Sequence, residues 1–202
     1  MLTIDHLVVA APSIEEGINW SEQVLGHTPE SGGVHAGYGT HNVLIGLGND
    51  TYLEIVSPDP HQSNIPPYWI PANKVSEPSL IGWAICRPNL KKLSVKHADC
   101  LGDFAEMQRL KTDGSLMKWE MTYPRFTVLD GLFPFFIDWK DALHPGKQLN
   151  SIGTINSVTL QHPKAQKANL LFDSLDMKIS VEKAETFSIH AALEIGGQTI
   201  TI

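Results

Sequence analysis

At 202 residues, with 42% hydrophobic and 18% charged side chains, the chain can bury a real core as one large domain or two small ones, which excludes a disordered polypeptide. A net charge of −7 with scattered Lys and Arg excludes a nucleic-acid partner, since affinity for a phosphate backbone rests on clustered cations; the densest group, Lys91, Lys92 and Lys96, has the spacing of a solvated helix face. No apolar run approaches the roughly 20 residues that cross a bilayer, and the N-terminus lacks a basic start with an apolar core behind it, so neither membrane insertion nor export is expected.

In chain order, Ile4 to Pro12 reads as a buried strand closed by a proline. Ser13 and Glu16 form a capping box, and Ile14, Ile18 and Leu25 then share one helical stripe that ends at Gly26. Short β-type runs follow: Val34 to Tyr38, His41 to Leu47, the turn at Gly48 to Asp50, then Thr51 to Ser57. After a linker rich in proline and polar residues the pattern begins again, with Ile81 to Pro88 as a strand and Leu90 and Leu93 on a weaker helix. Runs at Asp103 to Arg109, Ser115 to Thr122 and Leu132 to Trp139 complete this second copy. Ile155 to Pro163 aligns with Ile4 to Pro12 without a gap. Behind it, Ala168, Leu171, Phe172 and Leu175 mark a third helix, followed by runs at Lys178 to Ala184, Thr186 to Ile195 and Gln198 to Ile202. One strand, one helix and three strands is the shared order. It divides the chain into modules at 1–60, 80–140 and 152–202, with linkers at 61–79 and 141–151. Cys86 and Cys100 are too few for a disulfide framework and read as reduced thiols of a cytoplasmic protein.

The βαβββ order, with His6 on the first strand and Tyr52-Leu-Glu-Ile-Val56 on the last, resembles the vicinal-oxygen-chelate superfamily of glyoxalase I, extradiol dioxygenases and bleomycin-resistance proteins. More narrowly, Ile4-Asp-His-Leu-Val, Gly39-Thr-His-Asn-Val-Leu44, Tyr52-Leu-Glu-Ile55 and Asp113-Gly-Ser-Leu-Met-Lys-Trp119 look like the bacterial glyoxalase-like domain proteins. The resemblance implies an α+β fold in which repeated βαβββ modules form curled mixed sheets enclosing a cleft. It also implies that ligands for a divalent metal (Zn, Ni, Mn, Co or Fe) come from the first and last strands of two paired modules.

Carried over, His6 and Glu54 are the ligands of the first module, and alternation independently places Ile4, His6 and Val8 on one face and Tyr52, Glu54 and Val56 on another. A carboxylate between Leu53 and Ile55 needs a partner, because burying it unpaired is costly. If the second module pairs with the first, Asp138 matches Glu54 while Trp83 or Gly82 falls where a ligand is expected, so that His6, Glu54 and Asp138 are the three ligands of a metal with an open position. If the third does, the matching positions are Ser157 and Thr199 or Thr201, and the cleft carries no metal. His41 heads an alternating strand beside that of Glu54 and is a candidate ligand or acid/base, with Asn42 expected to point the other way.

Other candidates weigh less. His35 lies in a glycine-rich stretch that reads as a hairpin or lid, because the lysine and strand-then-helix context of a phosphate loop are missing. Tyr68 and Trp69 sit in a long loop. Trp119, Arg125 and Phe136 could form an apolar substrate pocket with one cationic anchor, and Trp83 could stack on a flat ligand. Two functions follow: a metal-dependent lyase, isomerase or ring-cleaving oxygenase in which Glu54 or His41 moves a proton, or a metal-free protein that binds or sequesters a small molecule. A reading in which His6 and Glu54 simply bond each other is a third. Three modules leave one without an internal partner, which predicts a homodimer.

Overall fold

The computed structural model describes residues 3–65, 74–110, 116–123 and 129–202. Arg125, Tyr68, Trp69 and the Asp113-Gly-Ser115 part of the last family-like motif lie outside these residues. The first module is β1 (Thr3–Ala10), α1 (Ile14–Val24), β2 (Glu30–His35), β3 (Thr40–Gly46) and β4 (Tyr52–Pro58). The second is β5 (Ser79–Cys86), α2 (Leu90–Lys96), α3 (Ala98–Leu101), β6 (Asp103–Leu110), β7 (Leu116–Tyr123) and β8 (Phe135–Asp138). The third is β9 (Gly153–His162), α4 (Ala165–Ser174), β10 (Val181–Lys183), β11 (Ser188–Ile195) and β12 (Gln198–Thr201). No helix among the described residues is long and apolar enough to cross a membrane.

Local chemistry accounts for the start of the first module. Ser13 caps α1 by accepting the Glu16 N–H and donating to its carboxylate, and Gly26, at φ 71°, takes the left-handed turn just beyond the helix end. Gly17 lets α1 settle on β4, because a Cβ there would lie 2.5 Å from Ile55 Cγ2. With α1 on one face and the cleft on the other, β4 is buried on both sides, and Glu54 interrupts the apolar run from Tyr52 to Val56.

The first two modules join in one eight-stranded sheet of order β2-β3-β4-β1-β5-β8-β7-β6. Each half has its first strand parallel to its last, and β1 meets β5 antiparallel at the centre. The sheet curls until its ends approach: Tyr38, in the β2–β3 turn, places its hydroxyl 3.3 Å from the sulfur of Met107 on β6. The convex face carries the main core and the concave face encloses a cleft.

The third module keeps the element order but winds differently. Its sheet runs β10-β9-β11-β12, so the first strand pairs in parallel with the second, where in the other modules it pairs with the last. The match between Ile155–Pro163 and Ile4–Pro12 governs how a strand passes into a helix; it does not say which later strand returns. This module packs on the convex face, with Phe172 against Trp83 and Phe133 at ring separations of 6.3 and 5.8 Å, and Arg87 donating to the Leu175 carbonyl. The third module, whose lack of an internal partner motivated the expectation of a homodimer, is thus packed against the second within the chain.

Candidate functional site

The cleft is built around a slip in strand register. Ile4 pairs with Ile85 and His6 with Ala84, so Asp5 is an extra residue bulged out of β1. Such a bulge re-aims side chains. Ile4 packs with Leu7 and Val9 on the convex side, Val8 faces the concave core, and Asp5 lies within bonding reach of the next residue's ring. The single face expected for Ile4, His6 and Val8 is thus corrected: the bulge reverses the alternation at Asp5.

Asp5 Oδ1 accepts a hydrogen bond from His6 Nδ1 at 2.6 Å. Its Oδ2 accepts from Trp139 Nε1 at 2.9 Å and from His144 Nε2 at 3.0 Å. Burial pushes the Asp5 pKa up, but the hydrogen bonds and charges of His144 and His6 outweigh it and lower the value from 3.8 to about 2. The proton on His6 Nδ1 leaves the Nε2 lone pair facing the cleft. Tyr52 stacks on the imidazole at 4.4 Å and Phe135 meets it edge-on at 5.1 Å, which fixes the ring plane.

Opposite stands Glu54, buried, with Oε2 3.6 Å from His6 Nε2. That separation exceeds a hydrogen bond, so the two groups are not simply bonded to each other. Glu54 Oε1 instead accepts from Asn42 Nδ2 at 2.6 Å, and Asn42 Nδ2 also lies 3.2 Å from His35 Nε2. His35 Nδ1 bonds the Thr40 hydroxyl at 2.8 Å. Above this polar floor the wall is apolar, with Met117, Trp119, Met121, Phe135 and Ile137 supplied by the second module. The cavity holds about 70 Å³ open to a water-sized sphere, enough for a few small polar groups.

Of the residues expected in the site, His6, Glu54 and Trp119 line this cavity. Asp138 does not. Phe135 pairs with Ala84, so Phe135, Ile137 and Trp139 take the concave positions of β8 and its end, and Asp138 turns the other way. There it accepts from the backbone of Asn89 and Lys140 and pairs with the Lys140 ammonium at 3.0 Å. The same parity sends Trp83 and Phe136 into the convex core, where Trp83 Nε1 donates to the Leu132 carbonyl. His41 faces a separate open groove beside Pro12 and Asp59. The alternation that separated it from Asn42 holds, with Asn42 as the inward residue.

Sequence reasoning missed Asp5, Asn42, His35 and His144 as parts of the site. Asp5 needed the bulge to be visible, and His35 was hidden by its glycines. His144 comes from the 141–151 linker, which is strapped across the first module: Asn150 bonds Glu30, Ser151 bridges to Gly46, and Pro145 lines the cavity. His144 Nδ1 accepts the Gly146 N–H at 3.0 Å, which leaves Nε2 as the donor to Asp5.

This geometry sits in a chain whose residues 4–175 match the glyoxalase-like domain family. The chain belongs to that family. As a glyoxalase-like protein of the vicinal-oxygen-chelate superfamily it is similar in fold to a hypothetical protein from Staphylococcus aureus, with a TM-score of 0.65 and 18% identity over 100% of this chain and 84% of the other. Methylmalonyl-CoA epimerases align over less of it. A variant from Streptomyces coelicolor in complex with 2-nitronate-propionyl-CoA has a TM-score of 0.47 and 15% identity over 72% of this chain and 100% of its own. The enzyme from Mycobacterium tuberculosis has a TM-score of 0.45 and 14% identity over 68% and 87%. No curated protein matches by sequence.

The resemblance calls for metal ligands from both halves of such a sheet. Where this glyoxalase-like protein has His6, Tyr52 and Glu54, strand register sets Ala84, Phe135 and Ile137 in its second half. Among the described residues, no three His, Cys, Asp or Glu side chains are arranged to hold a metal ion. The donor set does not fit the two-sided chelate.

Proposed function

We propose that the cleft is the active site of a small-molecule enzyme of the isomerase or lyase kind, which moves a proton at a carbon beside a carbonyl. The observation that carries this reading is the Asp5-backed His6 facing Glu54 across 3.6 Å at the floor of an apolar pocket. His6 Nε2 takes the proton from carbon. The imidazolium so formed gains an ion pair with Asp5 that the neutral ring lacks, so the stabilisation appears as charge develops. Glu54, on the other side of the same proton, relays it to the neighbouring carbon or oxygen of the substrate. The apolar wall excludes water and strengthens each of these interactions. No step in this scheme uses a metal.

A metal-free binding protein is the second reading, favoured by Met117, Met121 and Trp119, since methionine and tryptophan adapt to flat apolar ligands. Incubating the protein in D2O with a panel of small 2-hydroxy, 2-oxo and thioester carbonyl compounds separates the two. The enzyme reading expects deuterium, followed by NMR, to enter one carbon beside a carbonyl, with a rate at least 100-fold lower in His6→Gln and Glu54→Gln. Tight binding by calorimetry with no exchange would select the binding protein. We also place the protein in the cytoplasm, on the strength of two unpaired cysteines, Cys86 exposed and Cys100 buried.

A further inference from the structure

We infer that the amide nitrogen of Asn42 occupies the place a divalent cation would take beside Glu54, so that an N–H donor does there the bridging work of a metal. His6 Nε2 lies 3.6 Å from one oxygen of Glu54 and His35 Nε2 lies 3.6 Å from the other. Two ligands each about 2.1 Å from a tetrahedral metal stand about 3.4 Å apart. Between His35 and Glu54, however, sits Asn42 Nδ2, 2.6 Å from Glu54 Oε1 and 3.2 Å from His35 Nε2. Its two hydrogens match two acceptors, a carboxylate oxygen and an imidazole lone pair, which a cation would otherwise join.

The amide has one orientation. Asn42 Oδ1 accepts the Gly33 N–H at 2.7 Å, so turning the group over would set an NH2 against that N–H and an oxygen against Glu54. β2 builds the seat. Its pairing with β3 slips between Ser31 and Gly33, leaving Gly32 as the extra residue, and a Cβ on Gly32 would lie 2.1 Å from Asn42 Oδ1 and 2.6 Å from the Asn42 carbonyl oxygen. Any side chain at position 32 would dislodge the amide. At the positions matching His6 and Glu54 the second half of the sheet has Ala84 and Ile137, neither of which can ligate a metal. The amide holds Glu54 by Oε1 and leaves Oε2 and His6 Nε2 facing the cleft as bases. The inference concerns occupancy of the site, and it stands or falls separately from the proton-transfer reading.

The test is metal uptake. Protein purified without chelators is equilibrated with Zn²⁺, Ni²⁺ or Mn²⁺, and bound metal is measured by mass spectrometry and by titration calorimetry. The wild-type chain is expected to retain no stoichiometric ion. Asn42→Asp keeps the oxygen that faces Gly33 and replaces the NH2 by a second oxygen; it is expected to bind one ion at least tenfold more tightly, and to lose that gain when combined with Glu54→Gln. Asn42→Ala removes the donor without adding charge and is expected to gain affinity more modestly, which keeps the test decisive if circular dichroism finds the Asp variant unfolded. One equivalent of metal held by the wild type and lost in His6→Ala overturns the inference. So does a folded Asn42 variant with no gain.

Discussion

A histidine whose Nδ1 proton is held by a buried carboxylate is committed to one tautomer and one direction, and in this chain both are set by Asp5. That carboxylate has three donors, His6, Trp139 and His144, and its pKa falls from 3.8 to about 2. The sign for stability follows from linkage. A carboxylate with a depressed folded-state pKa contributes stability that is fully present above its unfolded value and is lost as pH falls through the folded one. Asp5 is therefore expected to contribute about 2 kcal/mol above pH 4, decaying as pH falls toward 2. Urea denaturation of wild type and Asp5→Asn at pH 6, 4 and 2.5 should show their difference shrinking with acid; a constant difference would mean that Asp5 acts by shape and not by charge. His6 and Glu54 were legible as a pair because a histidine and a glutamate stand on otherwise apolar strands. Asp5 and Asn42 were not, because each had a neighbour, His6 or His41, with a stronger chemical signal.

Among the elements, β1 and β2 each carry one extra residue, and the site depends on both. The bulge at Asp5 brings two adjacent side chains within bonding reach, and the one at Gly32 admits the Asn42 amide. The helix α1 makes a different demand, since it lies on β4 only because residue 17 has no side chain. Gly17→Ala would set a methyl 2.5 Å from Ile55 Cγ2 and is expected to cost about 1–3 kcal/mol as the helix is pushed off the strand that carries Glu54. A fall in thermal midpoint, with the Glu54 surroundings perturbed in NMR spectra, checks this; unchanged stability would show that α1 can shift without strain. The placement of Asp138, Trp83 and Phe136 turned on the same kind of detail. Alternation is a rule of parity, and one residue of register reverses every side chain on a strand.

At the level of the whole molecule, three modules share one core. Phe172 on α4 fills the space between Trp83 and Phe133 of the second module, so the third module should unfold together with the sheet it covers. Phe172→Ala is expected to cost about 3–5 kcal/mol through the cavity it leaves. A single transition, seen alike by tryptophan fluorescence and far-UV circular dichroism, would show that the unit is cooperative; two separated transitions would show an independent third module.

The sequence by itself determined the elements and their order: the strand closed by proline, the Ser13 cap, the glycine-marked turns, the α+β class, and His6 with Glu54 as the chemically distinct pair. These follow from backbone sterics and apolar periodicity within some ten residues, which any stretch of chain expresses locally. Only the tertiary structure decided that the second module, and not the third, completes the sheet, that Asp5 bulges, that Asn42 is the inward residue and that a linker delivers His144. Each of these depends on register between strands far apart in the chain, where the energy lies in pairing and packing partners that no local pattern names.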